Sequence, residues 1–132
     1  MEILYIEDDD DDIELFQEAL SRMDANIKLI SAYSFSDALT KLSGDVCRPD
    51  AIFVDYHLPG LDGYQCVKDL KNDEALKYTP IILISSTITS RQVDDFNKLG
   101  VYYFLSKTAL LSDLEPALKV IIDSLCKGQE NK

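Results

Sequence analysis

Basic residues are few in this chain: among 132 residues, 13 Lys and Arg face 24 Asp and Glu, for a formal charge of -11. A surface of that sign repels phosphate backbones and anionic lipid, so direct binding to nucleic acid or to a membrane surface is disfavoured, and cations and basic protein surfaces are the expected partners. Long apolar runs are missing, and nothing approaches the length that spans a membrane. The start, Met1-Glu2-Ile3-Leu4-Tyr5-Ile6, lacks the basic residues and sustained apolar stretch of a signal peptide. Cysteine is scarce. Cys47, Cys66 and Cys126 are odd in number and widely spaced, which argues against a disulfide framework or a zinc site and fits a reducing cytoplasm, with the thiols buried or incidental. His57 is the one histidine, so no His cluster exists to hold a soft metal. Internal repeats and linker-like stretches are absent as well.

What is present suits a globular protein: 46% of residues are hydrophobic and 28% charged, too apolar for disorder. The length predicts one domain over residues 1–127, a short polar tail over 128–132, and no attached output domain.

Short apolar runs alternate with longer amphipathic ones, the pattern of a parallel sheet joined by crossover helices. Strands are expected at Ile3–Ile6, Ile27–Ile30, Ala51–Val54, Ile81–Ile84 and Val101–Leu105. Helices are expected from about Asp11 to Met23, Ser36 to Leu42, Tyr64 to Asn72, Arg91 to Leu99, and Ser112 to about Cys126. The turn signals Pro59-Gly60 and Asp62-Gly63 lead into the third helix, Ser90 is positioned to cap the fourth, and Gly100 to end it. Ser112-Asp113-Leu114-Glu115 reads as a capping box, with Pro116 tolerated in the first turn. Five such units fit an α/β fold: a doubly wound five-stranded parallel sheet in the flavodoxin-like order 2-1-3-4-5, with helices on both faces.

In that arrangement sites form at the carboxyl ends of strands, and those ends carry Glu7-Asp8, Asp55, Ser85 and Lys107. Glu7, Asp8 and Asp55 would crowd one crevice, where carboxylates repel one another and call for a cation. Oxygen ligands without a Cys or His cluster describe Mg²⁺ better than zinc or copper, with Mn²⁺ as a substitute. An ionised Asp is a competent nucleophile toward phosphorus when charge on the transferring oxygens is compensated, and Ser85 and Lys107 are placed to contact those oxygens. Asp9 to Asp12 are assigned the plainer role of acidic residues in the first turn of a helix.

Ile-Leu-Tyr-Ile-Glu7-Asp8, Phe-Val-Asp55-Tyr-His-Leu-Pro59-Gly-Leu-Asp-Gly63, Pro80-Ile-Ile-Leu-Ile-Ser85-Ser86 and Phe104-Leu-Ser-Lys107 together resemble, in order and spacing across nearly the whole chain, the receiver domains of two-component response regulators. The resemblance implies that Asp55 is the phosphoacceptor, that Asp8, Asp55 and the His57 backbone carbonyl hold Mg²⁺ with Glu7 acting mainly through water, and that Ser85 and Lys107 contact the phosphoryl group. It further implies a switch in which Ser85 moves toward that group and Phe104 turns inward, with His57 and Thr87 at positions that tune dephosphorylation. The implied donor is a sensor histidine kinase or a histidine phosphotransfer protein. The downstream partner is an unidentified protein, and the state a monomer or a phosphorylation-dependent dimer. Such a domain catalyses its own phosphorylation and dephosphorylation without being a conventional turnover enzyme. One position departs from the family: Thr108 follows Lys107 where Pro is usual. A cis bond without Pro costs about 2.5–4 kcal/mol, so a trans bond and an altered loop are expected.

Two other readings compete. A receiver-like module working independently of phosphorylation is suggested by Thr108 and by the acidity around the site. A haloacid-dehalogenase-like phosphatase would want a second Asp two residues after the nucleophile, and that position is His57.

Overall fold

The computed structural model of the chain describes residues 1–23, 26–44, 48–58, 62–87 and 89–130, the last three through their backbone alone. Cys47 and the Pro59-Gly60 turn lie outside the described residues. The elements run β1 (Glu2–Ile6), α1 (Asp10–Ser21), β2 (Lys28–Ala32), α2 (Phe35–Ser43), β3 (Ala51–Asp55), α3 (Gly63–Asn72), β4 (Ile81–Ser85), α4 (Ser90–Lys98), β5 (Tyr103–Ser106) and α5 (Leu111–Glu130). All strand pairs are parallel, in the order β2-β1-β3-β4-β5.

The continuous apolar runs at β1, β3 and β4 follow from burial on both faces. Successive side chains alternate between faces. Leu4, Ile6, Ile52, Val54, Ile81 and Leu83 pack with Ala38 of α2, Val67 and Leu70 of α3 and Phe96 of α4. Their neighbours Ile3, Tyr5, Ala51, Phe53, Ile82 and Ile84 pack with Phe16 and Ala19 of α1 and Leu118 and Ile121 of α5. Three helices thus cover one face and two the other. Burying those strand residues is the main favourable term, at roughly 1.5–3 kcal/mol for each fully buried large apolar side chain.

Most strand and helix ends differ from expectation by a residue or two, and four places stand out. β2 covers 28–32 rather than 27–30, because its register against β1 carries pairing through Ser31 and Ala32, and a half-exposed edge strand accepts a serine. β5 begins at Tyr103 rather than Val101, because Gly100 adopts φ +85° and Val101 N–H turns back to the Phe96 carbonyl at 3.2 Å before the ladder starts. The cap of α4 is Thr89, not Ser90: Thr89 Oγ1 accepts the Gln92 N–H, and Gln92 Oε1 accepts the Thr89 N–H. Helix α5 starts at Leu111, ahead of the expected Ser112 box, and places Pro116 inside the helix; it continues to Glu130, beyond Cys126, where no proline interrupts it. Among the described residues no helix is long and apolar enough to cross a membrane.

Candidate functional site

The carboxyl edge of the sheet gathers the chemistry. Glu7 follows β1 and is pinned by its N–H to the Ala32 carbonyl at 2.9 Å; Asp55 ends β3, and the next residue, Tyr56, donates its N–H to Ile84 at 2.8 Å. Ser85 ends β4, and its carbonyl accepts the Lys107 N–H at 2.9 Å. Ladder bonds therefore set the spacing of all four residues, and a rigid sheet rather than flexible loops positions them.

At the centre, Lys107 Nζ lies 2.8 Å from Asp55 Oδ2, 3.1 Å from Asp12 Oδ2 and 3.2 Å from Glu7 Oε2. Glu7 is fully buried and Asp55 is 2% exposed, so this is one ammonium among three carboxylates, two of them out of water. Asp8 is exposed at the rim. One carboxylate oxygen from each of Glu7, Asp8 and Asp55 falls within a single group spanning 4.8 Å. An all-oxygen, net-negative set of this size suits a hard divalent ion such as Mg²⁺ or Mn²⁺, and residues that supply only carboxylates give no reason to favour zinc. The Glu7 oxygens are already engaged: Oε1 accepts the Asp8 and Asp9 N–H groups at 3.0 and 3.2 Å, and Oε2 accepts Tyr5 Oη–H and Lys107, both at 3.2 Å. That occupancy suits a contribution through water better than direct ligation.

Protonation follows the surroundings. Burial, then hydrogen bonding to Asp55 and Asp8 and the Asp55 charge, raise the Glu7 carboxyl above its ordinary value. Burial also pushes Asp55 upward, but hydrogen bonds from Glu7, Lys107 and the His57 N–H at 3.0 Å outweigh it and hold Asp55 below its ordinary value. Burial works against the Lys107 ammonium, yet Asp55 and Asp12 overcome it and hold Lys107 above its ordinary value. Asp55 is thus the carboxylate kept ionised.

Ser85 is 7% exposed. Its Oγ donates to the Thr87 carbonyl at 2.7 Å, accepts the Thr87 N–H at 3.2 Å and lies 3.2 Å from His57 Nε2. Thr87 and His57 therefore converge on Ser85. Phe104 is half-buried and sits edge-on to Phe96 of α4 at 6.4 Å, in a set of rings that continues through Phe96 to Tyr56 at 5.8 Å. The Lys107–Thr108 bond is trans, and the lysine reaches Asp55 from that backbone.

Two participants escaped the sequence reading. The sequence gives Asp12 only a helix-start role, yet it pairs with Lys107; Asp9 does cap α1, accepting the Asp11 and Asp12 N–H groups. Five consecutive aspartates, Asp8 to Asp12, carry no mark of which one turns inward. Tyr5 supports Glu7 from below, and its signal was available: residues two apart on a strand share a face, which places Tyr5 beside Glu7.

Comparison with known proteins gives one answer. Residues 3–119 match the family model described as the response regulator receiver domain. Protein PilG of Pseudomonas aeruginosa is 34% identical over 96 residues, covering 73% of this chain and 70% of PilG. Other curated relatives are longer, the chain spanning 42% of one and 9% of another. Among solved structures, a phosphorylated cyanobacterial phytochrome response regulator, RcpA, superposes with a TM-score of 0.81 at 30% identity, covering 91% of this chain and 89% of that one. The Mn²⁺-bound form of response regulator Rcp1 superposes with a TM-score of 0.80 at 27% identity, covering 91% and 90%.

Proposed function

This chain belongs to the response regulator receiver domain family, and from that premise we propose that it accepts a phosphoryl group on Asp55 from a histidine kinase or a histidine phosphotransfer protein in a Mg²⁺-dependent reaction. The observation that carries the proposal is Asp55 itself: a nearly buried carboxylate at a strand end, held ionised by Lys107 and crowded by Glu7 and Asp8.

An Asp55 oxygen forms the new bond to phosphorus while the donor's bond to phosphorus breaks and its electron pair leaves with the donor. The incoming group carries negative charge into a pocket that is already net negative, so compensation decides the rate. Lys107 supplies one positive charge and Ser85 one hydroxyl donor. Asp8, Asp55 and the His57 carbonyl would hold a divalent ion, which supplies the remaining neutralisation when bound. RcpA in its phosphorylated form and Rcp1 in its Mn²⁺-bound form are relatives consistent with this chemistry.

Afterwards Ser85 turns toward the phosphoryl oxygen and Phe104 moves inward, reshaping the surface of α4, β5 and α5 for a partner protein. The receiver domain acts in the cytoplasm and promotes its own phosphorylation and slow hydrolysis. The first test is intact-mass analysis of wild type and Asp55→Asn with acetyl phosphate, with and without Mg²⁺. One phosphate-sized gain that needs both Asp55 and Mg²⁺ is the expected result. No gain by folded wild type, with small donors and with kinase donors alike, would leave a module that works without phosphorylation.

A further inference from the structure

Ser85 has one proton, and its destination is settled by elimination. The Thr87 carbonyl has no hydrogen to give, so the 2.7 Å contact requires Ser85 Oγ to donate. The Thr87 N–H at 3.2 Å then donates to one Oγ lone pair. His57 Nε2, also at 3.2 Å, meets an oxygen whose proton is spent, so Nε2 carries the hydrogen and donates to the other lone pair. Ser85 Oγ is thus saturated, in a position 7% exposed where water offers little replacement. None of its three partners is Asp55.

We infer that the His57 ring is a latch that holds Ser85 in this resting arrangement and so opposes its engagement of a phosphoryl group on Asp55. The inference rests on the phosphoacceptor reading and adds a role for the side chain of a residue otherwise used through its backbone N–H and carbonyl. To donate to a phosphoryl oxygen, Ser85 must surrender the Thr87 carbonyl, and turning Oγ away also breaks the bond from His57. Each of those bonds is a weight on the resting side of the switch. The ring is itself held in place: it stands edge-on to Tyr56 at 5.0 Å and 86°, and Tyr56 Oη accepts the Gln92 side-chain N–H at 2.7 Å from the α4 cap. His57 is therefore a positioning residue acting through Ser85, and the latch is anchored on α4.

His57→Phe keeps a ring against Tyr56 and removes the N–H. Beryllofluoride, titrated in excess Mg²⁺ and followed by ¹⁹F NMR, serves as the phosphoryl mimic. The latch predicts that His57→Phe binds it about fivefold more tightly than wild type, the size expected for losing one neutral hydrogen bond from the resting state. Because His57 is the only histidine, its ring nitrogens give one assignable set of ¹⁵N signals. Those signals should report the Nε2–H form in the unliganded protein and should shift in Ser85→Ala, a change that a ring serving only as loop packing would not show. Equal or weaker binding by His57→Phe, or ring signals unmoved by Ser85→Ala, overturns the latch. Wild type that binds no beryllofluoride at all overturns the phosphoacceptor reading beneath it.

Discussion

Lys107 Nζ and Asp55 Oδ2 are 2.8 Å apart although 52 residues separate them in the chain. Lys107 follows β5 and Asp55 ends β3, so the pair spans β4 at the carboxyl edge of the sheet. The same ammonium also touches Glu7 and Asp12, which leaves the cluster with more negative charge than one lysine can balance. That imbalance is a cost to folding and the source of affinity for a cation, two consequences of one arrangement.

Lys107→Met should expose that cost directly. Removing one member of a buried ion pair typically costs ~3–5 kcal/mol, but the Lys107 side chain is 26% exposed, so a smaller loss of about 2 kcal/mol is expected in metal-free buffer. Mg²⁺ would neutralise the same oxygens, so it should restore more stability to the variant than it adds to wild type. Urea unfolding of both proteins with EDTA and with Mg²⁺ measures this. Equal Mg²⁺ increments would show that lysine and metal act on separate charges.

A second electrostatic element lies away from the site. Asp37 Oδ2 accepts the Tyr33 N–H at 3.0 Å and pairs with Lys41 at 3.3 Å. The Tyr33 hydrogen bond chiefly, with Lys41, holds the Asp37 carboxyl below its ordinary value, against a smaller upward push from burial. A carboxylate with a depressed folded pKa contributes stability that is complete above its unfolded value and is lost as pH falls through the folded one. Asp37→Asn retains an oxygen for Tyr33 and removes the charge. It should be less stable than wild type at neutral pH, with the difference shrinking below the ordinary Asp value of 3.8. Urea midpoints of the two proteins between pH 7 and pH 3 test it, and a difference that grows on acidification would contradict the assignment.

Most of the fold was legible because the central strands are buried on both faces and so appear as uninterrupted apolar runs, each stopping at a polar residue that belongs to the site. Ile52-Phe53-Val54-Asp55 is the clearest case. Element ends were less legible where the deciding partner is distant in sequence: β2 runs to Ala32 because β1 pairs with it that far. The α4 cap was legible in principle, since Thr89 lies three residues before Gln92, but the adjacent Ser90 is an equally good cap by type. Asp12, and the contact of the His57 ring with Ser85, were not legible for a different reason. Their roles depend on side-chain direction across elements, which periodicity does not encode.

The two described cysteines differ in a way alkylation should read. Cys66 is buried on α3, and burial, with a smaller contribution from the Asp69 charge, pushes its thiol up to about 12; Cys126 is exposed on α5. Thiolate is the reactive form, so Cys66 is both shielded and protonated. Iodoacetamide on native protein, followed by peptide mapping, should label Cys126 while leaving Cys66 intact until denaturant is added. Labelling of Cys66 at a rate comparable to Cys126 would mean that α3 opens far more readily than its packing on the sheet through Val67 and Leu70 implies.

Gly100 closes α4 in the arrangement that glycine serves best. With Leu99 as C-cap, Gly100 N–H reaches the Asn97 carbonyl at 3.0 Å and Val101 N–H reaches the Phe96 carbonyl at 3.2 Å, the paired bonds of a Schellman motif, with buried Val101 and Phe96 at its ends. The turn requires φ +85°, a region that costs an ordinary L-residue about 1–2 kcal/mol. A Cβ added here meets nothing within 4 Å, so the penalty of Gly100→Ala is purely backbone. Gly100→Ala should lower stability by about 1–2 kcal/mol and Gly100→Asn by roughly half as much, since Asn tolerates the left-handed region. Equilibrium urea unfolding separates the two, and the ordering Ala below Asn below Gly is the diagnostic. An alanine variant as stable as wild type would mean that the chain can leave α4 without reversing at residue 100, and the delayed start of β5 would then need another cause.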